Sequence, residues 1–289
     1  MSTKTSIEWA TKSWSPIIGC ERVSSGCDRC YAITTAHIRS HHPNPKVSDA
    51  FVGTAERRDG RIDWTGKVNL LPERLTDPLR WRKPERIFVN SMSDLFHDQV
   101  PDDFIARVFA VMAIAERHTF QLLTKRHARM RSLLNSGAFQ TAAAEHMLAM
   151  TDADEMKDAG DPFPLPNVHL GVSVENAEWA KIRGDALRET PAAVRWFSCE
   201  PLLGAIDDLD LTGIGWVVVG GESGPGARPM HIDWARSLVR QCRAAGVPVF
   251  VKQMGSCWDA NRGRRGKGGD IDTWPIELRV RESPQAVQS

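Results

Sequence analysis

The stretch "RIFVNSMSDLFHDQVPDDFIARVFAVMAIAERHTFQLLTK", Arg86 to Lys125, decides the fold class. It opens on a short apolar run, "RIFVN" (86–90), and closes on a second, "TFQLLTK" (119–125). Between them Phe104, Val108, Val111, Met112 and Ala115 recur at helical spacing and fall on one face. Pro101 and the Asp102–Asp103 pair suit a helix start, where carboxylates meet the positive end of the helix dipole. Strand, helix, strand in this order, with strands apolar throughout, predicts parallel strands covered by helices.

The alternation continues on both sides. "RHARMRSLLNSG" (126–137) predicts a short helix that Gly137 ends. "VHLGVSV" (168–174) is a strand, and "NAEWAKIRGDALRET" (176–190) a helix with Asn176 as N-cap and Trp179, Ile182 and Ala186 on one face. "AVRWFSCEP" (193–201), "GWVVVGGES" (215–223) and "VPVFVKQMG" (247–255) are further strands. "HIDWARSLVRQCRAAG" (231–246) is an amphipathic helix with Ala235, Leu238, Val239, Cys242 and Ala245 aligned. With "WSPII" (14–18) the count reaches six or seven strands. The fold class expected is α/β: a partial (β/α) barrel in one domain over residues 1–255, with a doubly wound sheet as the alternative. The short, Asp-rich crossover at 199–215 leaves little room for a helix. The acidic segment 140–166 falls outside the repeat and reads as an inserted, mobile excursion. Residues 256–289 read as a C-terminal extension, flexible in its Gly/Arg-rich part.

The chain has 289 residues, 42% of them apolar and 25% charged, an ordinary globular composition. Its 37 basic and 36 acidic side chains leave a net charge of +1, which gives no bulk attraction to nucleic acid. Only two local basic groups stand out: Arg126, Arg129 and Arg131, and Arg262, Arg264, Arg265 and Lys267. For both, a solvated face is the first reading. No run approaches the ~20 apolar residues of a membrane span, so no membrane partner is expected. "MSTKTSIEWATKSW" has no apolar h-region, which predicts a cytoplasmic chain. Six cysteines (20, 27, 30, 199, 242, 257) in such a chain do not make a disulfide framework.

Three of them, Cys20, Cys27 and Cys30, fall within eleven residues in "IIGCERVSSGCDRCYA" (17–32). A disulfide, a zinc knot completed by His37, His41 or His42, and an iron–sulfur cluster with one open iron compete for that spacing. Cys242 lies on a buried helical stripe and reads as core. Polar residues gather where the strands finish: Asn90, Ser91, Ser93 and Asp94; Lys125; Ser173 and Glu175; Glu200; Glu222; Lys252. In parallel α/β folds the carboxyl ends of the strands carry the ligand site, so these groups are expected around one mouth, with the cysteine loop opening into it. Asp94, Glu200 and Glu222 together also fit a magnesium-dependent, nuclease-like site.

The opening "SIEWATKSWSPIIGCERVSSGCDRCYA" resembles a widespread phage- and bacteria-encoded three-cysteine family of undetermined activity. "VNSMSDLFH" (89–97), "TKR" (124–126), "LGVSVEN" (170–176), "SCEPLLG" (198–204), "VVVGGESG" (217–224), "VFVKQMG" (249–255) and "WPIELRVRE" (274–282) look alike too. Ser15 departs from the family, whose members carry Asn there. That family resembles a divergent branch of the radical S-adenosylmethionine enzymes. The resemblance implies a [4Fe-4S] cluster on Cys20, Cys27 and Cys30, S-adenosylmethionine on the open iron, and generation of a 5′-deoxyadenosyl radical. It further implies a reductant such as a flavodoxin or ferredoxin. The implied substrate is a nucleobase, nucleotide or nucleic acid, as in phage-type DNA modification in the cytoplasm of a bacterial host. Here the first cysteine gap is six rather than three, and Tyr31 follows the last cysteine instead of an aromatic preceding it. The superfamily's early Gly-Gly-Glu element has no counterpart at its place; "NSMSD" stands there, and "GGES" (220–223) comes late. On this reading Tyr31, Asn90, Ser91, Ser93, Asp94, Lys125, Ser173 and Glu175 bind cofactor, and Glu200, Glu222 and Lys252 serve the substrate. A zinc-bound nucleic-acid-binding or accessory protein is the non-catalytic alternative.

Overall fold

The computed structural model describes residue 5 and residues 7–151 and 163–284. Seven parallel strands form one sheet in simple sequence order. They are β1 (Lys12–Trp14), β2 (Arg86–Val89), β3 (Thr119–Thr124), β4 (Val168–Ser173), β5 (Val194–Cys199), β6 (Trp216–Gly220) and β7 (Val249–Gln253). The sheet curls into a half-barrel, the partial (β/α) barrel that the alternation predicts. The connecting helices are α1 (Tyr31–Ser40), α2 (Asp102–Ile114), α3 (His127–Leu134), α4 (Gly137–Met150), α5 (Ala177–Arg188) and α6 (Ile232–Ala244). The crossover from β5 to β6 carries no helix, as its Asp-rich sequence predicts.

Period-two alternation sorts each strand onto two faces. Ile87, Val89, Phe120, Leu122, Val168, Leu170, Val172, Phe197, Val217, Val219 and Val251 point to the helices and join the main core. Phe88, Trp196, Trp216, Val218 and Phe250 point into the concave side, where Trp9 of the N-terminal segment plugs the hollow. Trp9 meets Phe88, Trp196 and Trp216 edge-on at 4.9, 5.5 and 5.6 Å. Each such pair is worth ~0.5–1.5 kcal/mol beyond the area it buries. Gly171 makes room for the plug: a Cβ there would fall within the indole ring of Trp196. Aromatic side chains therefore fill the concave side of the sheet around Trp9.

Three local expectations give way. Gly137 does not end a helix but starts α4, whose N-cap Ser136 accepts from the Phe139 amide at 3.4 Å. Residues 140–150 of the expected excursion thus belong to a helix that packs Phe139, Ala143 and Met147 inward, Phe139 against Phe109. The part at 152–162 lies outside the described residues. On α5 the buried residues are Ala180, Arg183, Gly184, Ala186 and Leu187; Ala186 of the expected face is inside, while Ile182 stays 42% exposed. The face turned because Arg183 is drawn inside by a carboxylate, described below. In the C-terminal extension Trp274, Leu278 and Val280 join the core. Residues 280–282 also pair with β7, through Val251 N to Val280 O at 2.9 Å and Glu282 N to Val249 O at 3.0 Å. This covers a strand edge that would otherwise expose unpaired backbone.

Candidate functional site

The cysteine segment leaves β1 and crosses the mouth as a strap. Ile17–Ile18 pairs with Asn69–Leu70, and Gly19 follows in the left-handed region at φ 106°. A side chain there would collide with the Lys67 carbonyl, so glycine alone fits. The Gly19 amide donates to Met92 O at 3.2 Å and the Ser93 hydroxyl donates to Ile17 O at 2.8 Å, which sets Cys20 beside the "NSMSD" turn. A single 3-10 turn, Ser25–Cys27, follows, and Cys30 occupies the N-cap of α1.

The strap is pinned from the opposite rim. The Ser24 hydroxyl donates to Glu175 Oε1 at 2.9 Å, and Gly26 lies so close to that carboxylate that no Cβ would fit. Glu175 is fully buried and takes two further bonds, at 3.1 and 3.0 Å, from the fully buried Arg183. Arg183 also donates to Ser173 O at 2.6 Å. At the end of β6 Glu222 is held by Arg228 through the backbone amide at 2.7 Å and Nε at 3.0 Å, and Arg228 Nη2 donates to Ser25 O at 2.8 Å. Arg22 ties the strap to Asp28 at 3.2 Å and to Asp63 of the 55–64 hairpin at 2.8 Å. Glu21 reaches Arg126 at 3.3 Å.

Cys20, Cys27 and Cys30 are all free and partly exposed. Burial pushes the Cys20 thiol up, and the nearby Asp94 charge adds to it; burial likewise pushes up Cys30. Each of these two thiols lies within electrostatic reach of Cys27. Among the described residues no group of three or more His, Cys, Asp or Glu side chains converges tightly enough to hold an ion as it stands. His37 meets His41 edge-on at 4.7 Å, two turns down α1. At 1.5 Å per residue it lies about 10 Å along the helix from Cys30, well away from the strap. Tyr31 keeps 52% of its surface open, yet desolvation drives its phenol upward, with Cys30 and Glu200 adding to the shift. Its hydroxyl donates to Ser91 O at 2.8 Å.

The residues expected around the mouth are brought to it, but in two roles. Asp94 accepts from the Thr124 hydroxyl at 2.7 Å and from the amides of Lys125 and Phe96 at 3.0 Å, so its capacity is spent on joining two strand ends. Ser93, Glu175 and Glu222 are likewise fasteners. Lys125 Nζ donates to the Ser173 hydroxyl at 2.8 Å and lies 3.4 Å from Glu175. Ser91 accepts from the Ser13 hydroxyl at 3.0 Å. Lys252 and Glu200 form an ion pair at 2.6 Å, both sides only partly exposed, with Gln253 Nε2 at 3.3 Å from the same carboxylate oxygen. Asn90 is different. It is 5% exposed, sits at φ 61°, and neither its Oδ1 nor its Nδ2 has a partner. Orphaned buried amides cost ~1–3 kcal/mol and call for a ligand or another reason to persist.

Sequence reasoning missed the fasteners Ser24, Arg22, Asp28, Arg183 and Arg228. Arg183 left one legible trace, a cation in the middle of an otherwise apolar helical stripe. Cys199 and Cys242 are fully buried in the core, and Cys257 donates to Ala227 O at 2.8 Å.

Fold and site together define a parallel α/β half-barrel whose carboxyl-end mouth is spanned by a three-cysteine strap. The chain belongs to the family described as "Protein of unknown function (DUF5131)", which matches residues 4–276. Comparison with curated proteins and with solved structures gave no match. No helix among the described residues is long and apolar enough to cross a membrane.

Proposed function

We propose that this chain is a radical S-adenosylmethionine enzyme in which Cys20, Cys27 and Cys30 hold a [4Fe-4S] cluster. The observation that carries the reading is the strap: three thiols on one segment, fastened by Glu175 and by the Glu222–Arg228 pair across the ligand-binding end of a partial (β/α) barrel. Three thiolates are a full protein set for a cubane that leaves one iron to a small molecule, whereas a closed zinc site needs a fourth ligand that His37 is badly placed to give. Burial of neutral thiols is no obstacle, because a coordinating thiol is deprotonated by the metal it binds. When bound, the cluster and S-adenosylmethionine supply one-electron reductive cleavage to a 5′-deoxyadenosyl radical, the electron coming from a flavodoxin- or ferredoxin-type reductant.

The chain's own residues do the rest. The orphaned Asn90 amide offers one donor and one acceptor side to the bound cofactor. Lys125, held by Ser173 and Glu175, presents a cation to its carboxylate. The Glu200–Lys252 pair can hold or deliver a proton at the mouth. The aromatic plug around Trp9 keeps water from entering from below. A magnesium nuclease is disfavoured because Asp94, Glu200 and Glu222 are each taken by a neighbour. A nucleobase, nucleotide or nucleic acid as substrate, in a phage-type DNA modification in a bacterial cytoplasm, completes the proposal. Anaerobic purification with iron, sulfide and zinc analysis tests it: about four irons per chain support the reading, and one stoichiometric zinc without sulfide defeats it.

A further inference from the structure

The two basic groups of the sequence have different fates. Arg126, Arg129 and Arg131 are consumed internally, by Asp98 and Glu21, by Asp102, and by Glu189. Arg262, Arg264, Arg265 and Lys267 are all exposed, on a loop of defined shape. Asp259 builds that loop: its carbonyl accepts from the amides of Arg262 and Arg264 at 2.9 Å, and its carboxylate accepts from Gly268 N at 2.8 Å. Gly263 and Gly268 turn the chain at φ 66° and 67°. Arg264 is offset by Asp270 at 2.9 Å, and Arg262 lies over Trp258 at 3.5 Å.

The loop is locked to the mouth. Met254 N and Gly255 N, just past β7, donate to Gly268 O and Lys267 O at 2.9 Å. The Ser256 hydroxyl donates to Gly266 O at 2.7 Å and accepts from Gly224 N at 3.0 Å. Gly226, in the same turn as Gly224, faces the cysteine strap: a Cβ there would meet the guanidinium of Arg29 at 3.6 Å. Arg29 is exposed too, between Asp28, which is paired with Arg22 and Arg228, and the N-cap Cys30. Among the described residues no carboxylate lies within ion-pair distance of Arg29, Arg262, Arg265 or Lys267. Four exposed cations without a carboxylate partner therefore sit on linked segments, an arc of chain from the strap to the loop past the end of β7, on a chain of net charge +1.

From this arc we infer that the substrate is polymeric: a single-stranded nucleic acid whose backbone phosphates run along Arg29, Arg262, Arg265 and Lys267 while one base enters the mouth. The inference rests on the radical reading for its chemistry. A free nucleotide would need phosphate ligands inside the mouth, whereas these cations are exposed, on the strap and on the loop beside it. A base acted on in a concavity must first leave its stack, which a single strand permits at least cost.

The test is fluorescence anisotropy with a labelled 20-nucleotide single-stranded DNA, on the full chain without cluster, between 50 and 200 mM salt. Wild type should bind, with affinity falling as salt rises. The Arg262→Ala/Arg265→Ala/Lys267→Ala variant should bind at least 10-fold more weakly, its log–log salt slope shallower by about 2, since each lost phosphate contact removes ~0.7. Arg265→Glu alone should weaken binding in the same direction if the triple variant folds poorly. No binding by wild type, or equal affinity and slope in the variants, overturns the inference. Cys27→Ala should bind the strand as wild type does. Strand binding that fails while 5′-deoxyadenosine still forms sinks the arc alone; a missing cluster with intact strand binding sinks the radical reading alone.

Discussion

Ser24 and Glu175, 151 residues apart in the chain, meet through a 2.9 Å hydrogen bond that fastens the cysteine strap to the end of β4. The carboxylate has no exposure and shares its charge with Arg183, itself fully buried. The end of the sheet and the position of three thiols are thereby one structural fact. Removing one member of a buried pair strands the other, at ~3–5 kcal/mol. Glu175→Ala should therefore lower the urea unfolding free energy by that amount and lose iron binding with it. Ser24→Ala, which removes only the hydroxyl, should cost about 1 kcal/mol and leave the fold intact. Equal stability of Glu175→Ala and wild type would show that the strap is held elsewhere.

Asn90 makes no side-chain hydrogen bond and holds a left-handed backbone. Glycine accepts that conformation freely. Asn90→Gly should leave the thermal midpoint unchanged or raise it, while weakening S-adenosylmethionine binding to reconstituted protein about 10-fold, the ~1.4 kcal/mol of one lost polar contact. Unchanged affinity by equilibrium dialysis would remove Asn90 from the site.

His169, on the concave face of β4, is 6% exposed, and burial lowers its pKa to about 4. In the unfolded chain it titrates at its ordinary 6.5. Below that value the unfolded state binds the proton and the folded state does not. Stability is thus complete above pH 6.5 and declines as pH falls toward 4, by on the order of 3 kcal/mol over the window. Urea midpoints for wild type and His169→Asn at pH 7 and pH 4.5 measure it: the variant should show the smaller drop. Parallel pH profiles would contradict the assignment.

A methyl group at position 171 would enter the Trp196 indole. Gly171→Ala should destabilise the chain by ~1–3 kcal/mol through overpacking and change tryptophan emission, because Trp196 packs on Trp216 at 5.2 Å and on Trp9. Wild-type emission and midpoint would mean the plug yields without strain.

The strands and most helices were legible because each carries its own period: "RIFVN", "TFQLLTK" and the α2 stripe needed only local rules. The strand-end polar residues were legible as a set for the same reason, since parallel sheets place their carboxyl ends together. Their division into fasteners and free groups was not. Asp94, Glu175 and Glu222 look like ligands until the partners Thr124, Arg183 and Arg228 are found beside them, and those partners are set by tertiary packing. The buried face of α5 was misread through Ile182 for the same cause: Arg183 turns inward for a carboxylate eight residues away. Gly137 shows the limit of single-residue signals, because glycine suits the residues on either side of a helix boundary and only Ser136 before it marked a start.

The most direct measurement of the central claim is product analysis after anaerobic incubation of reconstituted protein with S-adenosylmethionine and a low-potential reductant. 5′-Deoxyadenosine should accumulate with wild type and be absent with Cys27→Ala, whose circular dichroism should still match a folded barrel. Equal 5′-deoxyadenosine from both proteins, or none from wild type carrying a full complement of iron and sulfide, would contradict the account.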